Sequence, residues 1–267
     1  MRLFLVILII SYSIFNVFSC DLADDNWDPR INQETFYKVF GGDKEDYGFS
    51  VDTTNDGGYI LAGFSTSYGN GNWDAWIVKT DKNGNGMWHR SFGTPRRESA
   101  WQIMQTNNSG YTILGEHSPD NQKGNILLIQ TDSLGYALNQ TSYGGEENDG
   151  ARQIITTSDG GFAIIGYTYS FAAGGRDIWL IKTDLNGNKE WSQSYGSIYN
   201  ETGYSLIETI DNGFLLVGSQ WNPIVKKHNI YIVKVDLKGN LEWDKKIHEN
   251  NTGFAHKIIT TSDGLYA

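Results

Sequence analysis

Four carboxylates recur along this sequence at nearly constant intervals. Asp46, Glu98, Asp149 and Glu201 stand 52, 51 and 52 residues apart, each six residues after a Phe or Tyr. A ring of such acids would suit calcium, which takes about six to eight oxygen ligands. A carboxylate at a fixed place in a repeat can also cap the backbone N–H groups of its own loop. The spacing belongs to the repeat itself, which favours capping, and the fifth place holds Gly253 instead of an acid. The segments Asp81-Lys82-Asn83-Gly84-Asn85 and Asp184-Leu185-Asn186-Gly187-Asn188 resemble the opening of a calcium loop. They lack the later bidentate Glu and read as hairpin turns. No cofactor is expected, and calcium is the one ion the acids would suit.

No other set of residues points to a reaction. The histidines, His89, His117, His228, His248 and His256, are scattered without short metal spacing, although His117 and His228 fall in variable loops that could converge. A nucleophile elbow and a phosphate loop are both missing. What remains are aromatic planes at Tyr68, Trp73, Tyr169, Phe171 and Trp221, and fixed charges at Arg96, Arg97, Arg176, Lys226 and Lys227. These lie in the segments that differ most between copies, where a binding surface is expected.

The elements that carry them come from a tandem repeat. Copies start at Phe40, Phe92, Tyr143, Tyr195 and Ile247, giving units 40–91, 92–142, 143–194, 195–246 and a short 247–267. A period of this length marks a repeat architecture. Abundant glycine (31) with scarce proline (4) suits short strands and tight turns. Each unit divides into four strands. The first is Ala151 to Thr157 in the third copy, matched by Gly48 to Thr54, Ala100 to Thr106 and Gly203 to Thr209. A turn such as Ser158-Asp159-Gly160-Gly161 follows, with hairpin chemistry. The second strand closes on Gly63, Gly115, Gly166 or Gly218, and the third begins at Asp74, Asn125, Asp177 or Asn229. Its near-continuous apolar centre predicts burial on both faces. The fourth carries Trp88, Leu138, Trp191 or Trp243.

Four antiparallel strands per unit, repeated about an axis, predict an all-β fold built of β-propeller blades. Trp76, Trp88, Trp179, Trp191 and Trp243 are then expected between blades. Lys79, Lys182 and Lys234, replaced by Gln130 in the second copy, are expected in solvent or paired with the Asp two residues on. The loops between second and third strands, and those between blades, would emerge on one face.

The third copy keeps Tyr143, Gly144, Gly145, Asp149, Asp159, Gly160, Gly161, Gly166, Ser170, Asp177, Trp179, Lys182, Asp184, Gly187 and Trp191. From Phe36 onward the units so patterned resemble the β-propeller repeats of bacterial secreted and lipid-anchored envelope proteins, first described as seven-bladed. The resemblance implies a fold and carries no reaction with it. Residues Glu34 to Phe40 stand where a fourth strand would, as in ring closure between chain ends. The fifth copy stops at Ala267 inside its second strand, so a larger ring of about six to eight blades is expected by analogy.

Residues 1–19 read as a signal peptide, with Arg2 before an apolar run from Leu3 to Phe18. The lone cysteine, Cys20, follows in Val17-Phe18-Ser19-Cys20, which resembles a lipobox and makes Cys20 the expected lipidation site. Residues 20–33 are polar and acidic and suit a tether. Export to the cell envelope or beyond is therefore expected, with membrane attachment only through the lipid. The net charge of -10 disfavours nucleic acid as a partner. The favoured function is a module that binds a protein or carbohydrate through the variable face. The alternative is a propeller enzyme acting on polysaccharide, or a quinone-dependent dehydrogenase, with its site at the channel mouth.

Overall fold

The computed structural model describes residues 36–118, 123–247 and 252–267. The expected signal peptide, Cys20, the tether and His248 lie outside them. Four meandering sheets follow one another along the chain. Blade 1 holds Asp46–Thr53 (β1), Tyr59–Ser65 (β2), Asp74–Thr80 (β3) and Gly86–Phe92 (β4). Blade 2 holds Glu98–Gln105 (β5), Tyr111–His117 (β6), Asn125–Thr131 (β7) and Ala137–Tyr143 (β8). Blade 3 holds Asp149–Thr156 (β9), Phe162–Thr168 (β10), Asp177–Thr183 (β11) and Lys189–Tyr195 (β12). Blade 4 holds Glu201–Glu208 (β13), Phe214–Asn222 (β14), Lys227–Val235 (β15) and Leu241–Ile247 (β16). All pairings within the sheets are antiparallel, so the protein is all-β with propeller-type blades. Each first strand begins two residues earlier than the spacing suggested, so the recurring acids open a strand instead of lying in a loop.

The apolar runs of the third strands follow from packing between sheets. In β3 every residue is buried, and alternate side chains serve opposite neighbours. Ala75 and Ile77 join Ile60, Ala62, Ile103 and Ile113 between blades 1 and 2. Trp76 and Val78 turn the other way, toward Leu61, Phe40 and Tyr68. The same arrangement places Leu114, Ile126, Ala151 and Trp179 between blades 2 and 3, and Ile165, Leu180, Leu206 and Val233 between blades 3 and 4. Each such Ile or Leu contributes about 1.5–3 kcal/mol through burial. Fourth strands are largely exposed and form the outer edge.

A charged clamp closes the first hairpin of three blades. Lys79, Lys182 and Lys234 are only 3%, 2% and 8% exposed. Their partners are not the acids two residues on but those of the preceding hairpin turn: Lys79 Nζ lies 2.8 Å from Asp56, Lys182 2.8 Å from Asp159 and Lys234 2.9 Å from Asp211. Each ammonium also donates to a backbone carbonyl at its strand's end, that of Thr80, Thr183 or Val235. In blade 2 both charges are gone together: Asn108 takes the Asp place and still accepts from the Gly110 N–H, while Gln130 donates to the Leu185 carbonyl of blade 3. Lys182 and Lys234 have a second carboxylate, Glu190 at 3.2 Å and Glu242 at 3.0 Å, whereas loss of Asp56 would leave the buried Lys79 ammonium unpaired, which is costly.

Outer-strand aromatics bind each blade to the next. Trp88 packs edge-on against Tyr111 at 5.9 Å, and Trp191 against Phe214 at 6.1 Å. Phe36 repeats the contact with Tyr59 at 5.7 Å. Lys38 adds a hydrogen bond to Asn85 Oδ1. The segment before blade 1 thus makes the contacts of a fourth strand, without a sheet partner among the described residues. Trp243 departs from the expected packing: it is 48% exposed, since no following turn in the described residues lies over it.

The Lys79–Asp56 clamp gives a direct test. Asp56→Asn, which strands the buried Lys79 ammonium, is expected to cost about 1–3 kcal/mol, and Lys79→Gln, which leaves Asp56 to solvent, less. The double variant, which copies the residue pair of blade 2, should cost less than their sum in a thermal-denaturation cycle. Hydrogen bonds from Lys79 and Lys182 hold Asp56 and Asp159 down at about 2. A depressed carboxylate stabilises the fold above its ordinary value of 3.8, and that contribution should fade as pH falls from about 4 through about 2.

Candidate functional site

The second strands place a glycine where another backbone crosses closest. A Cβ added at Gly63, Gly115, Gly166 or Gly218 would fall 1.7–2.0 Å from the carbonyl oxygen of Tyr47, Ser99, Gly150 or Thr202 in the first strand. Opposite each glycine the first strand carries a β-bulge, which inserts one extra residue. The extra residues are Phe49, Trp101, Arg152 and Tyr204, and His256 holds the same repeat place after Ala255. They have no common chemistry. Phe49 is 42% exposed, Arg152 and His256 are exposed, and Trp101 and Tyr204 are half-buried.

The next residue joins neighbouring first strands. Ser50 Oγ accepts from the Ile103 N–H, Gln102 exchanges two hydrogen bonds with Ile154, Gln153 Oε1 accepts from Leu206, and Ser205 Oγ accepts from Ile258. The first strands therefore lie side by side as the inner strands, and the bulge residues follow one another across them.

Around these residues runs a surface of aromatic rings and guanidinium groups. Phe49 stacks on Trp101 at 4.4 Å and lies 5.8 Å from Phe64, which stacks on Trp73 at 4.4 Å. The Arg97 guanidinium covers Trp73 at 4.8 Å. Arg152 bridges Glu116 at 3.3 Å and the Tyr167 ring at 5.0 Å. Arg176 lies over the same Tyr167 ring at 5.1 Å and 6.0 Å from Tyr169. From blade 4, Trp221 lies 5.0 Å from His228, and His228 4.4 Å from Phe254. Phe254 and Tyr204 both contact His256, at 5.8 and 4.8 Å. Burial pushes the Glu116 carboxyl up, against the pull of Arg152. Burial, with the charge of Arg176, pushes His228 down, so it is neutral at neutral pH.

Of the residues picked out by spacing and variability, Trp73, Arg97, Tyr169, Arg176 and Trp221 belong to this surface. Tyr68 and Phe171 do not. Tyr68 stacks on Trp76 at 5.7 Å and donates to the Gly41 carbonyl, and Phe171 lies 5.3 Å from Trp179. Both cover the repeat's inner tryptophan from outside. His117 and His228 do not converge: His117 Nε2 meets Ser142 Oγ at 2.7 Å within blade 2. Phe49, Trp101, Arg152 and Tyr204 escaped notice because they lie within strands instead of loops.

The four recurring acids are committed to their own blades. Asp46 accepts hydrogen bonds from Gly42 N–H and the hydroxyls of Ser65 and Ser67. Burial raises its pKa, but these bonds outweigh burial and leave it lowered. Asp149 repeats the pattern with Gly145, Thr168 and Ser170. Glu98 accepts from the N–H and hydroxyl of Thr94, and Glu201 from Ser197 and Gln220. Among the described residues no group of three or more His, Cys, Asp or Glu stands where it could hold a metal ion.

Glu201 also sits beside Asp177, and both are essentially buried, 0% and 1% exposed. A Cβ built on Gly196 would come within 2.8 Å of oxygens from both. Burial, with the adjacent Glu201, pushes Asp177 up to about 6.

No family model and no curated protein matches the chain. Among solved structures, it is similar to the crystal structure of a protein of unknown function from Bacteroides caccae, at 12% identity over 74% of this chain and 81% of that one, with a TM-score of 0.42. A likeness at that level carries no argument.

The Asp177–Glu201 contact predicts a pH dependence. A carboxyl raised in the fold favours the folded state below its ordinary value of 3.8 and loses that contribution as pH rises through about 6. Asp177→Asn puts there the residue that blades 2 and 4 carry as Asn125 and Asn229. It should flatten melting temperature between pH 4 and 6. Above pH 6 it should raise melting by about 2–4 °C, the response of a chain of this size to ~1 kcal/mol.

Proposed function

We propose that this chain is a non-enzymatic binding module of the exported β-propeller repeat kind, recognising a protein or glycan through the surface along its strand bulges. One observation carries the reading. The repeat keeps the bulge and varies the residue it turns out: Phe49, Trp101, Arg152 and Tyr204. Structural constraint explains the constant glycine and the constant bulge, but it does not call for four different side chains. Aromatic and arginine side chains are also those that dominate binding energy at interfaces. The lipobox-like Val17-Phe18-Ser19-Cys20 supports display at the cell envelope on a lipid at Cys20, or secretion. The net charge of -10 argues against nucleic acid as the ligand.

Intrinsic tryptophan fluorescence tests the reading, since Trp73, Trp101 and Trp221 all lie on this surface. A panel of oligosaccharides and peptides should yield a ligand whose affinity falls at least about tenfold in Trp101→Ala or Trp221→Ala, as loss of an aromatic anchor requires. Phe171→Ala, outside the surface, should leave affinity unchanged. A ligand indifferent to both tryptophan variants, with folding checked by circular dichroism, would sink the proposal.

A further inference from the structure

Building on that binding surface, we infer that its corner between blades 3 and 4 takes the carboxylate of an acidic sugar, a uronate unit of an anionic polysaccharide. Tyr169 and Arg176 approach from blade 3, Trp221 and His228 from blade 4. Asn200 ties the two sides, its side chain accepting from the Arg176 N–H and its carbonyl from the Trp221 N–H.

The two guanidinium groups on Tyr167 differ in one respect. Arg152 has the Glu116 carboxylate at 3.3 Å. Arg176 makes no ion pair among the described residues, and its Nε–H is buried without an acceptor. A buried donor left unmade costs free energy. This chain carries 31 acidic residues against 21 basic ones, so the missing partner does not reflect a shortage of carboxylates. His228 Nδ1 is likewise buried and unpartnered. Burial and the charge of Arg176 lower its pKa, which favours the uncharged ring and a hydrogen bond without a counter-charge.

These open groups select the ligand's chemistry. Arg176 offers only donors, held by the tyrosine faces in an orientation suited to a carboxylate. A uronate brings acceptors throughout: carboxylate, ring oxygen and glycosidic oxygen. Its C–H face suits the planes of Trp221 and Tyr169. An acidic peptide would bring backbone N–H groups as well, which the Arg176 guanidinium, having no acceptor, cannot receive. A second guanidinium, Arg97 on Trp73, without an ion pair among the described residues, stands at the junction of blades 1 and 2. Gly124 and Asn148 occupy the matching places at the junction of blades 2 and 3, with neither an aromatic ring nor a guanidinium. Two such stations on one surface fit a polymer carrying a carboxylate on every unit.

Calorimetric titration of the full chain with oligomers of polygalacturonate and alginate tests this, against carboxyl-reduced oligomers and poly-L-glutamate. The uronate oligomers should bind, and binding should weaken tenfold or more on carboxyl reduction or in Arg176→Gln. Lys189→Gln, which removes an exposed cation of the outer strand β12, should bind as the parent does. Uronates that fail to bind, or bind equally after reduction or in Arg176→Gln, overturn the inference. If a neutral glycan still binds and loses affinity in Trp221→Ala, the broader binding reading survives that failure. Equal affinity for poly-L-glutamate overturns the sugar assignment in favour of an acidic peptide. Silence from every glycan and peptide overturns both readings.

Discussion

A missing Cβ governs this structure. At Gly63, Gly115, Gly166 and Gly218 the second strand meets the bulged first strand so closely that an added carbon would overlap a carbonyl oxygen. The extra residue of the bulge then points away from the blade's own packing, free of the hydrophobic layers on either side. The residue after it is brought into line with the neighbour's inner strand, where Ser50, Gln102, Gln153 and Ser205 hold consecutive blades together. One steric constraint thus does two things at adjacent positions. It fixes how blades associate and releases one side chain per blade to vary.

The charged clamp works by a different logic. Burying an ammonium is unfavourable unless its partners are close and its hydrogen bonds complete. Lys79, Lys182 and Lys234 meet both conditions, with a carboxylate and a carbonyl each. The acids remain half in water, which screens the attraction and limits its net worth. The clamp is therefore better understood as fixing the hairpin turn against the third strand than as a large store of stability. Blade 2 supports this view, since it keeps the turn with Asn108 and no charge at all.

Much of the blade was legible in the sequence because it is periodic. The turns, the third strands buried on both faces, the tryptophans between sheets and the capping acids all follow from residue types recurring at one interval. The Lys–Asp pairing was not, because the partners stand 23 residues apart and meet only when the hairpin folds. Tyr68 and Phe171 looked like free loop aromatics, yet lie against Trp76 and Trp179. The bulge was hidden by the alternation rule itself, which counts every strand residue as inward or outward and has no place for an extra one. A signal was present all the same. Gly48-Phe49-Ser50, Ala100-Trp101-Gln102, Ala151-Arg152-Gln153 and Gly203-Tyr204-Ser205 each set an unlike residue between a small one and a hydrogen-bonding one.

The hydrogen bonds between inner strands join residues 52 or 53 positions apart, while the ladders inside each blade join near neighbours in sequence. Each sheet can therefore form from a short stretch of chain before the next one emerges from the ribosome. Loop closure is brief at every step, and the slow search that burdens long-range β-structure is divided into equal parts. Such an array gains stability by accretion, each unit serving as the template on which its successor docks. Damage to one unit should then spread to the two beside it before it reaches the rest.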